Sequence, residues 1–187
     1  MESKKQLRKK VLAKRKELSE SYYQDANQII VDKLLEHPEF KKAKSLFLFM
    51  PMPYEFNTKP VIKAAHEAGK ITGIPRVAGP GDMRIHEYAP GDKLISGPYN
   101  IEEPASSAKE LGPADIDLVI MPCVTCNNKG ERLGYGGGFY DRFLKEFKGT
   151  SLLPFYSRLQ VEDIPTDQYD QKIDIIMTEK GTFDLRS

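Results

Sequence analysis

The chain has 187 residues, enough for one domain with a full hydrophobic core. Its 28 Lys and Arg nearly cancel 27 Asp and Glu, so no global field draws in nucleic acid or an anionic membrane, and any basic site must be local. No apolar run approaches the roughly twenty residues of a membrane-spanning helix, and the lysine-rich start leads into no apolar signal region, which predicts a cytoplasmic protein.

Leu7, Val11 and Leu12, then Ile29, Ile30, Leu34 and Leu35, recur at helical spacing and predict two helices, over residues 4–18 and 22–35. A strand over residues 45–49 stops at the Pro51 and Pro53 cluster, a helix over 59–68 ends at Gly69, and a second strand follows at 71–74. Residues 84–88 alternate apolar with polar, while Gly and Pro mark surface connections at 77–81 and 90–104. The apolar run 117–122 reads as a buried strand, 139–147 as an amphipathic helix, and 151–155 and 173–177 as further strands. Alternating strands and helices predict an α/β layered fold over residues 1–187, a central mostly parallel sheet flanked by helices, opened by a basic N-terminal helix.

One stretch is unlike scaffold: Arg132-Leu133-Gly134-Tyr135-Gly136-Gly137-Gly138-Phe139-Tyr140-Asp141-Arg142. Glycines let several backbone N–H groups turn toward one point, and here they precede a helix start, where unpaired N–H groups and the helix dipole favour an anion. Spacing excludes two familiar loops. A Walker A loop needs Lys-Ser/Thr after the last Gly, where Phe139 and Tyr140 stand, and a dinucleotide fingerprint from Gly134 needs glycine at 139. Flanking Arg, Tyr and Asp favour an anion cradle over a turn that merely lets helix approach sheet.

Two other features have plain readings. Cys123-Val124-Thr125-Cys126 has no partner ligands at metal spacing among His37, His66 and His86, so its thiols read as small packing residues. The basic run in the first helix is usually a solvated face, yet Lys4 and Arg8 lie four residues apart on one side, within reach of one polyphosphate.

Nearly end to end, these features resemble the 5-formyltetrahydrofolate cyclo-ligase (5,10-methenyltetrahydrofolate synthetase) family. The matching segments are residues 4–8, Glu55-Phe56-Asn57-Thr58, Ala68-Gly69-Lys70 through Ile74-Pro75-Arg76, Met83, Ile101-Glu102-Glu103-Pro104, 117–122, 130–142 and 165–174, of which the glycine motif is by far the most specific. The resemblance implies conversion of 5-formyltetrahydrofolate to the 5,10-methenyl form, dependent on ATP and Mg2+, by a monomer or homodimer acting on a reduced folate, with no nucleic acid and no membrane. It implies ATP contacts from Lys4, Lys5, Arg8, Arg132, Gly134, Tyr135, Gly136, Gly137, Gly138, Phe139 and Tyr140. Asp141 and Asp170 would ligate magnesium, Glu55 and Arg132 would serve catalysis, and Met50, Glu55, Tyr135, Gly136, Gly137, Gly138 and Phe139 would meet the folate.

The chain departs from the family pattern in three places. Thr125-Cys126-Asn127 replaces Ala-Phe-Asp, Leu159 replaces a glutamine, although Gln160 is adjacent, and Tyr169 replaces a histidine. These departures bear on the folate contacts, while the phosphate loop itself is intact. They motivate a second reading, an ATP-dependent enzyme for another formamide or pterin, and a third is a non-catalytic folate or nucleic-acid binding module.

Overall fold

Ser3 starts the first helix as a reciprocal cap: its hydroxyl accepts the Gln6 N–H at 3.2 Å, and Gln6 Oε1 accepts the Ser3 N–H at 2.9 Å. The computed structural model describes residues 1–186. In chain order it runs α1 (Lys4–Arg15), α2 (Glu20–Glu36), α3 (Pro38–Lys42), β1 (Ser45–Leu48), α4 (Lys59–Glu67), β2 (Ile71–Gly79) and β3 (Asp82–Glu87). Then come β4 (Leu94–Ser96), β5 (Glu102–Pro104), β6 (Glu110–Leu111), β7 (Leu118–Ile120), β8 (Thr125–Cys126) and β9 (Arg132–Leu133). The chain closes with α5 (Phe139–Glu146), β10 (Thr150–Pro154), β11 (Ile175–Thr178) and β12 (Gly181–Asp184).

Eight strands form one sheet in the order β12-β11-β10-β7-β1-β2-β3-β6. The five central strands are parallel, and antiparallel strands finish both edges, which gives the expected α/β architecture with a mostly parallel sheet. Every residue of β1, β7 and β11 is buried, as continuous apolar runs require when helices cover both faces. Phe47 in β1 stacks on Tyr140 with ring centres 5.7 Å apart and meets Phe143 edge-on at 5.2 Å, so α5 is tied to the central strand. Among the described residues no helix is long and apolar enough to cross a membrane.

Two local features differ from the sequence reading. Strand β2 does not stop at Ile74 but continues to Gly79, absorbing most of the connection expected at 77–81 into a hairpin with β3. Beyond Gly73 it has left β1 and pairs only with β3, so Pro75 sits on an edge and its missing N–H removes no bond to β1. The short elements α3, β4, β5, β6, β8, β9 and β12 have no counterpart in the periodicity, since none carries a continuous apolar run like those of β1, β7 and β11.

Candidate active site

The chain places β2 on one side of β1 and then crosses to lay β7 on the other, so the connections leaving these strands diverge at their carboxyl ends. Open α/β sheets hold their ligands in such a crevice. A cleft of about 820 Å³ opens there, bordered by Phe49, Met50, Met52 and Glu55 after β1, Pro122 after β7, and Pro75 and Val77 in β2. Lys4 and Arg8 of α1 enter from one side. Residues 132–142 and the Tyr169-Asp170 pair complete the wall.

The glycine loop is aimed by a hairpin that periodicity does not register. Strands β8 and β9 pair Thr125 with Leu133 and Cys126 with Arg132, Leu133 is buried, and the chain then swings into the cleft as residues 134–138. Gly136 has φ +102°, and a Cβ there would meet the Arg8 guanidinium at 3.6 Å. Gly138, at φ +69°, is the residue from which α5 starts, and a Cβ there would lie 2.8 Å from Arg142 Nη1. The Arg142 tip is flexible and can shift, but the left-handed backbone cannot relax around a side chain. Gly138→Ala is therefore expected to lower stability by about 1–2 kcal/mol, seen as a lower urea midpoint.

Cations converge on this loop. Arg8 Nε donates to the Gly134 carbonyl at 2.7 Å, and Arg142 Nη2 donates to the Gly81 carbonyl at 3.2 Å. Arg132 is only 7% exposed, pairs with Asp141 Oδ1 at 3.2 Å, and keeps a buried Nε without a hydrogen-bond partner. Asp141 Oδ1 also accepts the Gln171 N–H at 3.1 Å, which ties α5 to the segment that carries Asp170. Lys4 stands at the positive end of α1, where a cation is disfavoured, and it is held there by Asp167 and Asp170, each 2.7 Å away. Burial works against its charge, but the two carboxylates outweigh burial and raise its pKa. Lys5 does not join the group: about 100° of helical turn per residue carries it to the exposed face, outside the cleft.

Glu55 holds the opposite end. It follows Tyr54, whose φ is +67°, and its Oε1 accepts the Met52 N–H at 3.2 Å while its carbonyl accepts the Tyr156 hydroxyl at 3.3 Å. Burial pushes the Glu55 carboxyl up to about 7, against the Arg15 charge, the Met52 N–H and the Tyr135 hydroxyl, which pull it back. Met50, 4% exposed, and Phe139 flank this end, and Tyr140, whose pKa burial also raises, lies beneath. The Tyr135 ring is 43% exposed at the mouth, while its hydroxyl turns inward to accept Arg15 Nη1 at 2.9 Å. The sequence reading missed Arg15, although the spacing 4, 8, 15 marks a single helical edge. It also missed Tyr99 and Glu103 in the cleft wall. Tyr99 has φ +63°, which no local pattern signals.

Two of the three places where the chain departs from the family pattern lie away from the cleft. Asn127 organises the β8–β9 turn: its Oδ1 accepts the N–H groups of Lys129 and Glu131, and its Nδ2 donates to Glu131 Oε2 at 2.7 Å. Leu159 is buried, and its carbonyl accepts the Thr125 hydroxyl at 2.7 Å. Cys123 and Cys126 are buried free thiols, and burial, with Cys126 alongside, drives the Cys123 pKa well up. Only Tyr169 lines the cleft.

Comparison with known proteins gives a consistent result. The model of the 5-formyltetrahydrofolate cyclo-ligase family matches residues 1–179. The 5-formyltetrahydrofolate cyclo-ligase of Escherichia coli K12 is 27% identical over 172 residues, covering 88% of this chain and 94% of that protein. The cyclo-ligase of Haemophilus influenzae is 29% identical over 172 residues, covering 88% and 91%. Among solved structures, the 5,10-methenyltetrahydrofolate synthetase of Aquifex aeolicus superposes with a TM-score of 0.87 at 34% identity, over 98% of this chain and 93% of that one. The Mycoplasma pneumoniae synthetase, at 23% identity and a TM-score of 0.78, shares the fold. With one family model spanning residues 1–179 and a neighbour alike over nearly its whole length, the chain belongs to the 5-formyltetrahydrofolate cyclo-ligase family.

Proposed function

We propose that this chain, a single domain acting in the cytoplasm as a monomer or homodimer, converts 5-formyltetrahydrofolate to 5,10-methenyltetrahydrofolate with ATP and Mg2+, releasing ADP and phosphate. One observation carries the reading: a single cleft joins a glycine loop ringed by Arg8, Arg132 and Arg142 to an apolar end that holds a carboxyl poised near neutrality. The first suits a triphosphate, the second a flat, nitrogen-rich ring. Cys126, Asn127 and Leu159, which motivated another formamide or pterin, do not line the cleft and supply no argument against folate.

The chemistry needs a poor leaving group made good. The γ-phosphoryl group passes to the formyl oxygen, N10 attacks the formyl carbon, and the C–O bond breaks as phosphate leaves with its electron pair. Arg8, Arg132 and the loop N–H groups would neutralise charge on the transferring phosphoryl oxygens, the main service such a transfer requires. Arg132 fits this role because its buried Nε is unpaired and because its ion pair with Asp141 fixes its direction. Glu55 would accept the N10 proton and offset the positive charge of the methenyl product, and a carboxyl with a pKa of about 7 can do both near neutral pH.

Asp141 and Asp170 would hold magnesium together with phosphate oxygens. Magnesium usually takes one or two protein carboxylates and keeps several waters, so two aspartates with phosphate oxygens are a sufficient ligand set. When bound, the ion supplies charge neutralisation across the phosphates.

Purified protein with Mg-ATP and 5-formyltetrahydrofolate should generate the near-ultraviolet absorbance of the methenyl product. No absorbance change under any ATP or metal condition would sink the proposal. Within the same assay, Lys4→Ala is expected to raise the KM for ATP about tenfold, the cost of one charge-assisted hydrogen bond, while Lys5→Ala stays near wild type.

A further inference from the structure

Lys4, Arg8, Val11 and Arg15 run along one edge of α1 at the i, i+4, i+7 and i+11 spacing of a helical stripe. The first two line the cleft; the last is buried, 4% exposed. A buried guanidinium is costly unless its charge is answered, so its surroundings are informative. Its hydrogen-bond partners are neutral. Nη1 donates to the Tyr135 hydroxyl at 2.9 Å, and Nη2 donates to the carbonyls of Cys123 at 2.7 Å and Val124 at 2.8 Å. Nε is buried without a partner, and the Arg15 carbonyl accepts the Tyr23 hydroxyl at 2.5 Å, which pins the backbone end as well.

No direct ion pair answers Arg15 among the described residues; the acid that acts on it is Glu55, reached through the Tyr135 hydroxyl that Arg15 holds. Burial alone would lower the Arg15 pKa, yet Tyr135, Cys123 and Glu55 together hold it raised. The groups facing the Glu55 carboxyl are Arg15 from α1, Tyr135 from the glycine loop, Tyr140 from α5 and the Met52 N–H of its own loop. Arg15 is the only full charge among them, and Tyr135, bonded to Arg15, stands next to both.

We propose that Arg15 is a positioning residue of the reaction, locking the Tyr135 hydroxyl and supplying the countercharge that holds the Glu55 carboxylate in the cleft. The proposal rests on the cyclo-ligase reading, in which Glu55 meets the reacting nitrogens. One helix then serves both ends of the site, with Lys4 and Arg8 toward phosphate and Arg15 toward the acid, the first and last about 16 Å apart along its axis. The alternative is a structural clamp, in which Arg15 only ties α1 to residues 123 and 124.

Arg15→Met, which keeps the stem and removes the charge, separates the two. In ligand-free protein carrying 13C-labelled glutamate, the NMR titration midpoint of Glu55 should rise by about one pH unit or more. The KM for folate should rise about tenfold with the KM for ATP little changed, and Arg15→Lys should restore part of both effects. A folded Arg15→Met protein with the wild-type Glu55 midpoint and wild-type folate KM overturns the proposal in favour of the clamp. If that variant does not fold, Tyr135→Phe removes the hydroxyl that Arg15 holds, and an unchanged folate KM there is equally fatal to the positioning role. Absence of folate turnover in the wild type would refute the assigned reaction, whereas the titration still judges the Arg15–Glu55 link.

Discussion

Arg132→Ala is expected to lower kcat/KM at least about a thousandfold, because a guanidinium that neutralises a transferring phosphoryl group contributes a factor of that order. The structure explains why no neighbour would substitute. Arg132 is buried, held in register by the β8–β9 hairpin and steered by Asp141, whereas Arg8 and Arg142 are each anchored to a backbone carbonyl, of Gly134 and Gly81. Arg132→Lys should recover little, since an ammonium cannot hold Asp141 and reach a phosphate in the same planar geometry. Steady-state kinetics with a thermal melt at matched protein concentration checks this. The outcome that counts against it is a folded Arg132→Ala protein within tenfold of wild type.

Glu55→Gln should divide activity from stability. Glutamine preserves shape but exchanges no proton, so turnover is expected to fall about a hundredfold or more, the usual loss when a positioned acid–base group is removed. The stability change has the opposite sign and depends on pH. The folded pKa of about 7 lies above the ordinary value of 4.5, so between those values the folded protein binds more protons than the unfolded chain, and stability falls as pH rises. Below 4.5 the carboxyl is neutral in both states and carries no penalty. Above 7 the penalty is complete, on the order of 3 kcal/mol, less whatever Arg15 loses when its countercharge goes. Glu55→Gln should therefore melt higher than wild type at pH 8 and at nearly the same temperature at pH 4.5. An equal gain at both pH values would show that the carboxyl charge is not its source.

What the sequence made legible follows physical range. The α/β order, the glycine loop and the Lys4–Arg8 edge are local signals, written in apolar period, backbone permissiveness and helical spacing. Lys5 entered the expected site through the family resemblance, but one residue of helical rotation takes it out of the cleft. Cys126 and Asn127 pointed to an altered pocket only while the two-residue strands β8 and β9 were unseen; in the hairpin, Asn127 is a turn residue with its amide fully engaged. The left-handed backbone at Tyr54 and Tyr99, flanking Glu55 and the cleft mouth, is imposed by tertiary context on residues with no such preference. Arg15 was readable as part of a stripe, but its value comes from Tyr135, 120 residues away.

The lysine at position 4 meets acids 163 and 166 residues further on. During synthesis α1 therefore leaves the ribosome long before Asp167 and Asp170 exist to receive it. Contacts of such long sequence separation close late, since they carry the largest loop entropy. The nascent protein can pair β1, β2 and β7 before its cleft is complete, and competence to bind a ligand there should appear late in synthesis rather than growing with chain length.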